Sequence, residues 1–466
     1  MFELHQLTAT QLLNGYRNKT FSPSDVAKAL TAHIARVEPR INALYAYSPE
    51  PFLATAEASS ARWAKGEVLG ALDGVPVTLK ELIATEGDPI PMGTGLGDQS
   101  PAKADAPPAA RLHEDNALLL GKTTCPDFGM LSSGLSSFHG LTRNPWDLNC
   151  NTGGSSSGAG AAAAAGFGPV HIGTDIGGSV RLPAAWCGVV GFKPTLGRIP
   201  IDPYYVGRCA GPMVRCVEDA ALVMPTLSRT DRRDAMRLPP ETINWQDLSL
   251  DLSGLRIGVM MEAGCGLALE AEIEAAVSQA AKLLEARGAI LVPVAPVLNR
   301  EMLDGLDRFW QARQQSELEK LDDQSRQRVL PAISQWANGA AKASAVEAVT
   351  GFQQIMAMRR ASEAVFDQVD FVISPTTPNV AFPAEWASPT NDPARPFDHI
   401  VYTVPWNMGE QPAISLNAGF SQEGMPIGVQ LIGPRFADHG VLKLAYQLET
   451  ALALPMRWPA LITAAE

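Results

Sequence analysis

NTGGSSSGAGAAAAAGFGPVHIGTDIGGSVRLPAAWCGVVGFKP, residues Asn151 to Pro194, is the stretch on which the reading of this chain turns. Two serines stand in glycine-dense turns, Ser155 behind Gly153-Gly154 and Ser179 behind Gly177-Gly178, and between them Ala159 to Gly166 carries almost no side-chain bulk. A serine hydroxyl is a poor nucleophile until a base takes its proton and donors await the oxyanion. Glycines ahead of a serine meet the second need, because backbone without Cβ can aim several N–H groups at one point. Ile176-Gly177-Gly178-Ser179 has that form. A flexible Gly/Ser linker is the alternative, but linkers rarely run on into an apolar segment such as Leu182 to Phe192.

Upstream, Gly74-Val75-Pro76-Val77-Thr78-Leu79 reads as a strand entering the core and delivering Lys80 at its end. A lysine is ordinarily a solvated surface group. This one is flanked by Val77, Leu79 and Leu82. Burial without a counter-charge lowers a lysine's pKa and makes the neutral amine available as a base.

These pieces together resemble the amidase signature family of serine hydrolases. The resemblance is carried by Gly153-Gly154-Ser155-Ser156-Ser157-Gly158, by Gly173-Thr174-Asp175-Ile176-Gly177-Gly178-Ser179-Val180-Arg181, and by Gly74 to Glu81. It extends through Asn144-Pro145-Trp146-Asp147, Gly191 to Thr195, Ser374-Pro375-Thr376-Thr377-Pro378 and Gly424 to Gln430. It implies an α/β fold in which a large mixed, mostly parallel twisted sheet is flanked on both faces by helices. It also implies a Ser–cis-Ser–Lys triad of Ser179 as nucleophile, Ser155 after a cis peptide as proton relay, and Lys80 as base. The backbone N–H groups of Ile176, Gly177, Gly178 and Ser179 would then hold the oxyanion. Thr174, Asp175, Arg181 and Ser156 are supporting residues, with Asp175 and Arg181 expected to form an ion pair bracing the nucleophile loop. Glu81 stands where relatives more often have Asp, and Asp127 where they usually have Glu.

Candidate pocket residues are Met130, Leu131 and Ser132, in a loop similar to one lining the acyl side of the family's pocket. Tyr204, Tyr205 and Arg208 are candidates for the leaving-group side, with Thr376 and Trp406 in later loops. Phe309-Trp310 reads either as pocket or as packing, and the Pro-rich residues 379–403 as a loop covering the pocket.

The remaining chain sets bounds. Its 466 residues, 46% hydrophobic and 18% charged, describe a globular protein with a large core. A net charge of −12 opposes nucleic-acid binding. Neither the N-terminus Met1-Phe2-Glu3-Leu4-His5-Gln6 nor any apolar run has the form of a signal peptide or a membrane span, so a cytoplasmic protein is expected. The six cysteines show no metal spacing and read as buried free thiols. No metal or cofactor is expected, and a homodimer is an open option. The chain reads as one domain: a helical layer over 1–68, the signature core over 69–227, a polar connection over 228–254, and the second half of the sheet over 255–466. In that last part Leu255 to Met260, the helix Leu269 to Arg287 and Ala289 to Val294 make a β-α-β unit.

The function these readings imply is hydrolysis of a C–N bond in a small amide, aryl-amide or carbamate. Two enzymatic alternatives stand beside it. One is the amidotransferase A-type subunit, which shares the signature and acts on glutamine for tRNA-dependent amidation; Val346 to Arg360 occupies the place of its tyrosine-rich segment. The other is an α/β-hydrolase esterase, since Gly154-Ser155-Ser156-Ser157-Gly158 formally matches a nucleophile elbow with Ser156 central and His399 or His439 as a late base. The residues before that motif, Asn144 to Asn151, make a poor strand. A non-enzymatic binding protein is the third alternative, disfavoured by the intact triad positions.

Overall fold

The computed structural model describes residues 3–96, 99–455 and 457–463; Met1 and Phe2, where the N-terminal reading begins, lie outside them. Thirteen strands are present among the described residues: β1 (Leu44–Tyr45), β2 (Pro76–Lys80), β3 (Leu118–Thr123), β4 (Leu135–Ser136), β5 (Gly140–Leu141), β6 (Val170–Asp175), β7 (Val190–Lys193), β8 (Cys209–Val214), β9 (Arg256–Val259), β10 (Ile290–Pro293), β11 (Phe371–Pro375), β12 (Ala413–Phe420) and β13 (Pro426–Ile432). Eleven of them form one sheet in the order β1-β3-β2-β6-β8-β7-β12-β13-β11-β9-β10, and β4 pairs with β5 as a separate ribbon. The architecture is the expected mixed α/β sheet flanked by helices. Its parallel pairings fall in two blocks, β3-β2-β6 and β11-β9-β10. Between the blocks β6, β8, β7, β12, β13 and β11 pair antiparallel. The β-α-β rhythm of residues 255–294 announces the second block only. Within the antiparallel centre only five residues join β12 to β13, too few for the crossover a parallel pair needs.

Helices Ala9–Arg17, Pro23–Ile41 and Pro49–Lys65 open the chain. The second starts on a capping box between Ser22 and Asp25 with Pro23 in its first turn, and it buries Val26, Leu30, Ile34 and Val37 at helical spacing. The layer is not wholly helical, because β1 adds an antiparallel edge to β3. Residues 228–254 hold no helix or strand, yet they are fastened down: Trp245, Leu248 and Leu252 are buried, and Asp234 accepts the Ile201 N–H at 3.0 Å. All six cysteines are free, but only Cys125, Cys187 and Cys209 are buried; Cys150, Cys216 and Cys265 are half-buried. No described helix is long and apolar enough to cross a membrane.

Two features position the site. The Ala-rich segment is the helix Ser157–Ala165, buried at every residue. Its small side chains let it lie close on the sheet: a Cβ on Gly158 would come within 2.3 Å of the Ala43 carbonyl oxygen and 2.5 Å of the Thr124 nitrogen. The second feature is the parallel pairing of β2 with β6, which brings Lys80 and Asp175 to the same end of the sheet. Ligands in such sheets gather outside the carboxyl ends of the strands. Above this end, helices Arg300–Leu318, Pro331–Asn338 and Ala345–Ala364 form a cover with its own apolar cluster, including Trp310, Trp336, Phe397 and Trp406.

Candidate active site

Lys80 ends β2 with its side chain fully buried. Its amine donates to Ser155 Oγ at 2.8 Å and to Ser156 Oγ at 3.2 Å. Burial pushes this lysine down to about 8, against the pull of Cys125, Asp175 and Glu81 and with the push of Arg208. No carboxylate bonds the amine directly among the described residues. Glu81, the next residue, is engaged elsewhere, with His139 Nε2 and the Gly93 N–H. An amine held this way gives up its proton more readily than a solvated lysine, because the charged form lacks the water that would stabilise it.

The two serines before the Ala-rich helix are held differently. The peptide between Gly154 and Ser155 is cis, as the family resemblance implies. Ser155 opens on a chamber of about 450 Å³, which Ser179 and Thr174 also line. Ser156 is fully buried, donating to the Thr174 carbonyl at 3.1 Å and accepting its N–H at 3.2 Å. That hydroxyl clips the loop to the end of β6 and lines none of the chambers around Ser179.

Ser179 lies on the loop between β6 and the helix Arg181–Cys187, and its carbonyl accepts the Ser156 N–H at 3.2 Å. The loop is braced from below by Asp175 and Arg181, both fully buried. Arg181 donates from Nε to Asp175 Oδ2 at 3.0 Å and from Nη2 to Asp175 Oδ1 at 3.0 Å. Its remaining donors reach the Thr403 carbonyl at 3.0 Å, Gln430 Oε1 at 2.7 Å and Asn407 Oδ1 at 2.6 Å. Burial alone would raise the Asp175 carboxyl. The Arg181 charge and hydrogen bonds outweigh it and hold the group well below the usual carboxylate range.

This bracing changes the expected oxyanion donors. The Gly178 N–H is taken by Asp175 Oδ1 at 2.8 Å, so it is not available to a substrate. The N–H groups of Ile176, Gly177 and Ser179 donate to nothing else among the described residues. Gly178 is needed for its backbone instead: its φ is +130°, and a Cβ there would stand 2.5 Å from Thr403 Oγ1.

The expected pocket residues divide. Met130, Leu131 and Ser132 line a narrow space of about 40 Å³ beside Ser179, with Trp310, Arg313, Phe397 and Ile400. Met130, Leu131 and Phe397 continue into an apolar groove of about 220 Å³ under the helix Pro331–Asn338, and residues of the 379–403 loop form its far wall. Arg208 lines the 450 Å³ chamber. Tyr205 lies against Arg313, whose guanidinium carbon is 4.1 Å from the ring centroid. Tyr204 is exposed and lines none of these spaces. Thr376 is buried in the sheet, bonded to Ser415 Oγ at 2.9 Å, and Trp406 is buried against Phe366; neither reaches the chambers. Of the aromatic pair, Trp310 faces the site and Phe309 packs on Phe352. The residue beside Trp406, Asn407, is the one that meets the Ser179 loop, donating to Asp175 Oδ1 at 2.8 Å. An aromatic was the more conspicuous choice in that segment, and nothing in the spacing pointed to its neighbour.

The Amidase family profile matches residues 25–442. The chain is 34% identical to the A subunit of the glutamyl-tRNA(Gln) amidotransferase from Chloroflexus aurantiacus, covering 96% of this chain and 97% of that protein. It is similar in structure to a 6-aminohexanoate cyclic dimer hydrolase, with 28% identity, a TM-score of 0.89, and coverage of 99% of this chain and 100% of the other. A bacterial aryl acylamidase of the amidase signature family gives 28% identity and a TM-score of 0.88, with 96% of each chain covered. With the profile spanning most of the chain and the curated relatives matching it end to end, the chain belongs to the amidase family, as an amidase signature enzyme acting on C–N bonds.

Proposed function

We propose that the chain is a hydrolase of amides or carbamates larger than glutamine, with Ser179 as nucleophile, Ser155 as proton relay and Lys80 as base. The observation that carries this reading is the buried Lys80 amine, 2.8 Å from Ser155 Oγ, behind a chamber that Ser155 and Ser179 share. Ser179 Oγ attacks the carbonyl carbon and its proton passes through Ser155 to the Lys80 amine. The N–H groups of Ile176, Gly177 and Ser179 receive the oxyanion, each such donor contributing about 3 kcal/mol to the transition state. The C–N bond then breaks as the proton returns through Ser155 to the leaving nitrogen. Water enters by the same relay and releases the acid.

The chambers support an aryl or extended substrate: Leu82, Ile90, Met92 and Phe128 line the larger one, and Ile333, Trp336 and Phe397 the groove beyond. The rival built on a histidine base finds no support. Among the described residues no histidine lines these spaces; His399 is fully buried near Trp186, and His439 is bonded to the Asp247 carbonyl at 2.8 Å. A fluorophosphonate probe is expected to label Ser179, with the modified peptide mapped by mass spectrometry. A label on Ser156 would overturn the assignment. With Lys80 near 8, kcat/KM should climb with pH, reach half its plateau near 8 and stay high in mild alkali, since the amine must be neutral to accept the proton. A profile already flat below pH 6 contradicts a lysine base.

One observation favours a second reading, the 34% identity to the A-type chain of an amidotransferase over nearly the whole length. On that reading the substrate is glutamine and the partners include other proteins. Turnover of glutamine compared with p-nitroanilides and aryl carbamates separates the two: activity confined to glutamine selects the amidotransferase reading.

A further inference from the structure

Two guanidiniums face the chamber on which Ser155 and Ser179 open. Arg208 comes from the turn before β8 and Arg313 from the helix Arg300–Leu318, and both line the chamber with Asp202. Neither has a carboxylate partner among the described residues. Arg208 donates one bond, to the Pro203 carbonyl at 2.8 Å, and Arg313 only lies over the Tyr205 ring. A guanidinium carries five donors, and Arg181 a short distance away has all of its groups engaged. The donors of Arg208 and Arg313 are therefore largely unassigned by the protein itself.

Their charges also act on each other. Burial first, and then the Arg313 charge, push Arg208 down to about 10. A half-buried Arg208 beside the exposed charge of Arg313 is unfavourable unless an anion joins them. Asp202 fills that role only in part: its charge favours the Arg208 cation, but it is exposed and hydrogen-bonds neither group. The rest of the wall is mainly apolar, so the chamber is an apolar slot with a cationic end.

We infer that the amide substrate carries a carboxylate, which Arg208 and Arg313 grip inside this chamber while the scissile bond lies at Ser179. The planar guanidinium fork matches a carboxylate with paired hydrogen bonds, which an ester of the same shape cannot reproduce. Arg208 and Arg313 are then specificity-determining residues. The inference rests on the hydrolase reading for the position of the scissile bond, whereas the anion grip is testable without turnover.

The test is binding to the Ser179→Ala protein by calorimetry, with two acids and their methyl esters. Glutaranilic acid carries its carboxylate on the acyl side of the amide, and 4-acetamidobenzoic acid carries it on the amine side. At least one acid is expected to bind about tenfold or more tightly than its ester, the scale of one or two charge-assisted hydrogen bonds, with the preference shrinking as sodium chloride is raised. Arg208→Gln combined with Arg313→Gln should bring the acid-to-ester ratio to about one. Arg313 is exposed, so Arg313→Gln alone is a substitution the fold tolerates; it should remove part of the preference, and Arg313→Lys should restore some of it. Equal binding of acids and esters, or a preference that survives the double substitution, overturns the inference. Turnover of the same four compounds by the unsubstituted enzyme reads the hydrolase proposal separately. An acid preference in binding with no turnover sinks that proposal and leaves the carboxylate grip standing; turnover with no acid preference does the reverse.

Discussion

Lys80→Arg is expected to lower kcat by about 10²- to 10⁴-fold, the range that general acid–base catalysis contributes. Lys80 is fully buried and bonded to both Ser155 and Ser156, so the arginine keeps a positive charge at this point while losing the ability to become neutral. If the side chain served only as a cation bracing the two serines, arginine would retain much of the function. The comparison needs a fold control, because a guanidinium is wider than an ammonium. Lys80→Met supplies it: similar in length and apolar, it suits the same buried site and should fold with a circular dichroism spectrum like that of the parent while losing turnover to the same extent. The decisive readout is the pH profile together with kcat. A Lys80→Arg enzyme with substantial activity, or a Lys80→Met enzyme that keeps the rise near pH 8, would remove lysine from the mechanism.

Arg181→Met is expected to destabilise the protein by about 3–5 kcal/mol, because it leaves the Asp175 carboxylate buried without its partner. The ion pair has no exposure on either side, so solvent cannot take over. Asp175→Asn in the Arg181→Met background should recover part of that loss, since the residual buried charge is removed with its partner. Chemical denaturation of the two variants and the parent measures both numbers. Equal stability of Arg181→Met and the parent would show that the bracing is not structural.

The same pair sets an acid limit. The Asp175 carboxyl is held below its usual value of 3.8 in the folded chain. A group whose folded pKa is depressed stabilises the fold above its unfolded value and loses that stabilisation as pH falls toward the folded one. Denaturation midpoints should therefore drop as the pH is taken below about 4, and the drop should be shallower in the Asp175→Asn/Arg181→Met protein.

What residue order by itself determined is the kind of fold, and it singled out the residues on which the proposed chemistry rests. Lys80, Ser155 and Ser179 could be picked out because each lies inside a contiguous motif whose local backbone need, a strand end or a glycine turn, is written in its immediate neighbours. The helix Pro23–Ile41 and the β9–β10 unit were legible for the same reason, through capping residues and hydrophobic period. The tertiary structure decided everything that depends on which distant segments meet. It turned Glu81 toward His139 and left the lysine without a carboxylate, and it assigned the Gly178 N–H to Asp175 rather than to the pocket. It sent Tyr204 outward and Trp406 into the cover while drawing Asn407 to Arg181 from 226 positions away. Arg313 follows Phe309-Trp310 in 307-DRFWQARQQSE-317 with nothing in its own neighbours to single it out, yet the cover brings it to the same chamber as Arg208. Side-chain type and spacing describe a residue's own element, whereas its partner is set by how that element packs on others, and no periodicity along the chain records that contact.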